Sequence, residues 1–221
     1  MTSSDQRPPT DARSADSFTE RVQRSALGPP VRALVSRVRA ISWRRSGSPA
    51  PAPPHVKQQL VLEHVKRFKP AAFVETGTYR GDTLAHVRTH VARSVSIELD
   101  ETLCALARNR FRRHPDVEIL WGDSGALLAD VLQTLTEPSA LWLDGHYSGG
   151  VTADSGGDAP VLSELTAALT CSVGHLVLID DARLFDGTDG YPTLETVSSL
   201  IATHRPSTPM SISDDVIACY P

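Results

Sequence analysis

From residue 55 onward, hydrophobic and polar positions fall into two alternating patterns. Apolar side chains spaced three and four apart mark helices over 55–68, 82–93, 101–113, 124–135, 159–169 and 193–204. Between them, short runs rich in Val, Ile, Leu and Trp predict strands over 71–77, 94–99, 117–123, 139–145, 175–181 and 215–220. Several of these runs, ALWL and LVLI among them, are apolar without a break, as expected of strands covered by helices on both faces of a parallel sheet. Strand and helix in turn describe a doubly wound α/β domain. No internal repeat is visible.

Ahead of this domain the pattern changes. Residues 1–27 are polar and rich in Ser, Thr, Asp and Arg, a composition expected to be disordered. In 29–45, Val31, Leu34, Val35, Val38 and Ile41 recur at helical spacing behind Pro29 and Pro30, which suit a helix start. Arg32, Arg37, Arg39, Arg44 and Arg45 accompany them with no acid. Such a helix suits an anionic membrane surface or a partner, but the favoured expectation is that its apolar stripe packs on the domain with the arginines in water. SGSPAPAPP (46–54) reads as an extended linker, which divides the chain into an extension, 1–54, and a domain, 55–221.

Charge sharpens that division. The extension carries nine arginines against four acids, while the remainder carries 13 basic residues against 22 acids. An acidic domain argues against nucleic acid as its main partner. No stretch reaches the length of a membrane span, so stable membrane insertion is not expected. Cys104, Cys171 and Cys219 are odd in number and without a CxxC, which fits a reducing cytoplasm better than a disulfide framework. Oligomeric state is left open, a homo-oligomer included.

The predicted strands end alike. Their carboxyl ends carry Glu75-Thr76-Gly77, Glu98-Leu99-Asp100, Gly122-Asp123-Ser124, Asp144-Gly145-His146 and Asp180-Asp181. Ligands of open α/β sheets bind at those ends, and unpaired carboxylates are too costly to bury five times for packing alone. The loop ETGTYRGDT lacks the lysine of a phosphate-binding P-loop, and Tyr79 stands where a dinucleotide loop has its second glycine. A negative Glu75 would repel phosphate and suit a cation. Glu98 has the usual place of an acid that accepts from ribose hydroxyls, and Asp123 can accept from an adenine amino group. A cationic, phosphate-free adenosine matches S-adenosylmethionine.

VETGTYRG, SIELD, WGDS, LWLDGHYS and LVLIDDAR, in that order, resemble the motifs of class I S-adenosylmethionine-dependent methyltransferases. The resemblance covers roughly residues 55–221 and implies a Rossmann-like, mostly parallel seven-stranded sheet. It places Glu75 and Gly77 at the methionine portion of the cofactor, Gly81 where the helix approaches, Glu98 at the ribose, and Asp123 with Ser124 at the adenine. LDGHYSGG followed by IDDAR is similar to small-molecule O-methyltransferases that use a divalent metal. That likeness implies Asp144, Asp180 and Asp181 as ligands of magnesium, with Asp144 and His146 in the catalytic step. His146 as a general base stands beside the plainer reading of a loop residue that caps or packs.

Two loops stand out around these motifs. In 148–160, Thr152, Asp154 and Asp158 are available to touch an acceptor, or form an ordinary surface loop. In 181–192, Arg183 either meets an anionic substrate group or pairs with Asp180 or Asp181. The expected function is methyl transfer to an oxygen of a small polar molecule. The alternatives are a non-catalytic protein of the same fold, or a metal-dependent hydrolase or hydroxylase on a related one.

Overall fold

The computed structural model describes residues 29–144, 160–208 and 210–221, with side chains from residue 34 onward. The described chain runs α1 (Pro29–Arg45), α2 (Pro54–Phe68), β1 (Ala72–Thr76), α3 (Asp82–Val87), β2 (Arg93–Glu98), α4 (Glu101–Phe111), β3 (Val117–Trp121) and α5 (Ser124–Gln133). It continues through β4 (Ala140–Leu143), α6 (Pro160–Thr170), β5 (Leu176–Ile179), α7 (Leu194–His204), β6 (Ser211–Ser213) and β7 (Val216–Cys219). The seven strands form one sheet in the order β3-β2-β1-β4-β5-β7-β6. Strands β1 to β5 pair in parallel, and β7 runs antiparallel to both β5 and β6.

Alternation along the strands sorts the core. Val74, Ile97, Leu141, Leu143, Val177 and Ile179 join a buried cluster with residues of α5, α6 and α7. Their neighbours Phe73, Trp142, Leu176 and Leu178 join a second cluster with residues of α2, α3 and α4. Successive strand side chains point to opposite faces, so each continuous apolar run supplies both clusters.

Three expectations need correction. The helix expected over 82–93 stops at Val87, passes through a short 3-10 turn at Arg88–His90, and gives way to β2 at Arg93. Pairing of Arg93 with Ala72 claims for the sheet a residue that the helical pattern had included. The patterning located six of the seven strands that the resemblance implied; the seventh is β6, which precedes the expected closing strand and is joined to it by Asp214 and Asp215, both at positive φ, 48° and 66°. Two consecutive left-handed residues make the turn whose twist matches a hairpin. Finally, Leu34, Val38 and Ile41 of α1 are 62%, 58% and 51% exposed rather than packed. The chain folds back after α1, so Trp43 makes the contact instead. It is buried against Ala52 and Val56, and its indole N–H donates to the Pro49 carbonyl at 2.6 Å.

Among the described residues no helix is long and apolar enough to cross a membrane. All three cysteines are free thiols.

Candidate active site

In the strand order the sequence of connections reverses between β1 and β4, and the crevice at such a switch point is where an open α/β sheet takes a ligand. The loop that leaves β1 there is bent by Gly77, Tyr79 and Gly81, whose φ values are 80°, 48° and 69°. Glycine at 77 has a second cause. A Cβ there would stand 2.5 Å from the Asp144 carbonyl oxygen, so β1 and β4 exit too close together for any side chain. Gly81 caps α3, and its missing side chain leaves room for the Phe111 ring.

Glu98, at the end of β2, fixes this loop. One carboxylate oxygen accepts from the Tyr79 N–H at 2.6 Å and the other from the Asp100 N–H at 3.0 Å. Around it, apolar side chains are left in water. Leu99 follows it directly, Trp121 lies opposite it in the β3 register, and Tyr79 is bonded to it through the backbone. All three are more than half exposed, and the Trp121 indole donates to the Leu99 carbonyl at 3.1 Å. Asp123, one strand further, caps α5 by accepting from the Gly125 N–H at 2.9 Å.

Glu75 was expected at the methionine portion of the cofactor. It lies within β1, opposite Ser96, and is 2% exposed, with the Ser96 hydroxyl donating to it at 2.7 Å. Burial pushes its pKa well above the usual carboxylate range. The Ser96 bond pulls the other way, and Asp144, Glu98 and Asp82 push further up. Burial and the neighbouring acids thus both work against the negative charge expected there.

A second buried carboxyl, Glu164 of α6, was not singled out from the sequence. It accepts from the Thr76 hydroxyl at 3.3 Å, while the same hydroxyl accepts from the Asp144 N–H at 3.2 Å. Glu164 thereby braces the exits of β1 and β4. Burial raises its pKa; hydrogen bonds from Ser124 and Thr76 oppose that rise, and Asp123 and Asp144 add to it. A raised folded-state pKa means that the unfolded chain releases this proton first, from about pH 4.3. The carboxyl therefore weakens the fold increasingly as pH climbs from there to the folded value, and by a constant amount above it. Glu164→Gln should remove that penalty. Its melting temperature relative to wild type is expected to rise across this interval and then level off. A gap independent of pH would show that Glu164 titrates as in water.

At the far side of the crevice, Asp180 ends β5 and Asp181 follows it in a left-handed conformation, φ 55°. One oxygen of each carboxylate is taken by a cation of the protein. Lys57, from the first turns of α2, bonds Asp180 at 2.5 Å and also bonds Asp181, and it lies 3.6 Å from Asp215. Arg183 bonds Asp181 at 2.5 Å and bonds Asp215 as well, which decides between the two readings of that arginine. Burial pushes Asp180 up to about 7, with Asp144 and Asp181 adding to the rise and Lys57 opposing it. Burial works against the charge on Lys57, but Asp180 and Asp181 outweigh it and hold the ammonium above its ordinary range.

Among the described residues no group of three or more His, Cys, Asp or Glu is arranged to hold a metal. The donor set thus does not fit magnesium as placed. A cavity of about 320 Å³ opens beside this cluster, lined by Trp43, Arg183, Leu194, Ile212 and Asp215 among others. His146, Thr152, Asp154 and Asp158 lie outside the described residues.

Lys57 and Asp215 are the members of this ion-pair cluster that the sequence reading did not single out. A lysine in the first turns of a helix opposes the helix dipole, and that was the available sign that it has an acidic partner.

Solved structures share this architecture. A methyltransferase of Podospora anserina bound to S-adenosylhomocysteine is similar with a TM-score of 0.56 at 16% identity, over 98% of both chains. An O-methyltransferase of Bacillus cereus in complex with S-adenosylhomocysteine gives 0.55 at 16% identity, over 94% of this chain and 97% of that one. TomG of Streptomyces achromogenes, an O-methyltransferase involved in tomaymycin synthesis and solved with S-adenosylmethionine, gives 0.52 at 18% identity, over 82% and 86%. No protein-family model and no curated sequence matches the chain. The chain has the fold of the class I S-adenosylmethionine-dependent methyltransferases.

Proposed function

We propose that this protein transfers a methyl group from S-adenosylmethionine to an oxygen of a small polar molecule. The observation that carries this reading is the surround of Glu98. A nearly buried carboxylate is tied to the glycine loop, with Leu99, Trp121 and Tyr79 exposed around it. That arrangement offers a charged acceptor for ribose hydroxyls and apolar surface for an adenine ring. The three exposed side chains have no other cover among the described residues.

Bound S-adenosylmethionine supplies the methyl group, carried on a sulfonium. The chain's own residues then act chiefly by position, as in-line displacement at carbon demands. Gly77 keeps the backbone low at the switch point, Glu98 fixes the ribose, and Asp123 with Ser124 stands at the adenine side. The acceptor enters through the cavity beside Arg183 and Asp215, where the Trp43 ring and two kinds of charge suit a hydroxylated, sugar-like molecule. His146 and Asp144 remain the proposed groups for moving the acceptor proton. The division at residue 55 belongs to the same reading.

Calorimetric titration of the full chain with S-adenosylmethionine tests the proposal, and one-to-one saturable binding is the expected result. Trp121→Ala, at an exposed position, should leave the melting temperature unchanged and weaken binding by about 1–3 kcal/mol, roughly 5- to 150-fold, the usual worth of a base stacked on an aromatic ring. Absence of binding to folded wild type would sink the proposal, and unchanged affinity in the variant would remove Trp121 from the adenine site.

A further inference from the structure

The arrangement around Lys57 differs from that of a metal-assisted transferase in one respect that carries consequences. The carboxylates of Asp180, Asp181 and Asp215 converge, and the cation among them belongs to the protein. Lys57 is 8% exposed, and its ammonium meets Asp180 at 2.5 Å. It also bonds Asp181 and faces Asp215 at 3.6 Å. Arg183 neutralises part of the remaining charge through Asp181 and Asp215.

The charges nearly balance. Three carboxylates meet one ammonium and one guanidinium, so a divalent ion added to the intact cluster would have to displace Lys57 or share its oxygens. As placed around the ammonium the three acids are not a metal set, but without Lys57 their side chains could turn to a common ion as three hard oxygen donors with a formal charge near −2, conditions that favour a divalent cation.

We propose that the Lys57 ammonium is the resident cation of the acceptor side of the site, standing in the place of a divalent metal, so that the protein works without one. The role rests on the methyltransferase reading, but the occupancy of the site does not. The position also explains why a lysine persists in the first turns of α2 against the helix dipole. A cation carried by the protein's own side chain is independent of metal supply and insensitive to chelators.

The test uses the full chain, wild type and two variants, titrated with Mn²⁺ and followed by electron paramagnetic resonance of the free ion. Wild type and Lys57→Arg, which keeps a cation, should show no saturable site. Lys57→Ala should bind one Mn²⁺ at least tenfold more tightly than wild type and lose it to excess Mg²⁺, and its melting temperature should rise when the ion is added. Wild type that binds one Mn²⁺ as tightly as the alanine variant overturns the proposal. So does a folded Lys57→Ala that gains no site. Should the alanine variant fail to fold, the wild-type titration still decides, since a saturable ion there contradicts a resident ammonium.

Calorimetry of wild type with S-adenosylmethionine, before and after chelation, is run alongside. Equal affinity in both supports a metal-free site. No cofactor binding at all removes the methyltransferase reading while leaving the Mn²⁺ result to stand on its own.

Discussion

Replacing Gly77 by alanine is expected to cost the fold about 2–5 kcal/mol. Two strains combine. Alanine at a φ of 80° is disfavoured by about 1–2 kcal/mol. Its Cβ would also meet the Asp144 carbonyl oxygen at 2.5 Å, and a backbone atom held between β1 and β4 cannot step aside as a side-chain tip would. Overpacking of that kind typically adds about 1–3 kcal/mol. For a chain of this size the sum corresponds to a fall of roughly 5–20 °C in melting temperature. Gly190 provides the control, because its φ is 82° and nothing lies within 4 Å of an added Cβ. Gly190→Ala should show the conformational cost alone. Equal falls in the two variants, followed by thermal denaturation, would show that the Asp144 contact yields freely.

Glu98→Ala is expected to weaken S-adenosylmethionine binding by about 1.5–3 kcal/mol, roughly 10- to 150-fold, the worth of hydrogen bonds to a charged group. The loss has two parts, since the same carboxylate would face the ribose and already holds the Tyr79 and Asp100 amides. Glu98→Gln separates them. Its amide oxygen can still accept from Tyr79 N–H, so the glycine loop should keep its shape while the charge is gone. Calorimetry is expected to place the glutamine variant between wild type and alanine. Affinity unchanged in both variants would take Glu98 out of the cofactor site.

What the sequence disclosed was punctuation. Glu98, Asp123 and Asp180 could be read because each closes an apolar run and no packing argument asks for an acid there. Glu75 was legible as the last acid before the glycine loop, but its burial was not. It shares a strand face with Phe73, and strand alternation alone placed it inward, toward Ser96 rather than toward the loop. The hairpin was missed because Ser211–Ser213 holds a single apolar residue, itself exposed, and so has no periodicity to detect. The ion-pair cluster could not be seen at all by spacing. It joins α2 to the ends of β5 and β7, and only the fold brings those elements together. The stripe on α1 failed for a related reason, since periodicity shows that a helix has an apolar face but not what will cover it.

The pairing of Lys57 with Asp181 spans 124 residues of chain. The partner on β7 is further still, and β7 itself slots between β5 and β6 rather than being added at an edge. Contacts of such long reach reward the chain only after most of the loop-closure entropy has been spent. Closing this cluster therefore costs more chain entropy than pairing neighbouring elements does. The glycine loop, β2 and Glu98 lie within a few dozen residues of one another and take shape from local contacts. The Lys57 cluster thus ties early and late parts of the chain together, whereas the glycine loop is held by Glu98 within one short stretch of it.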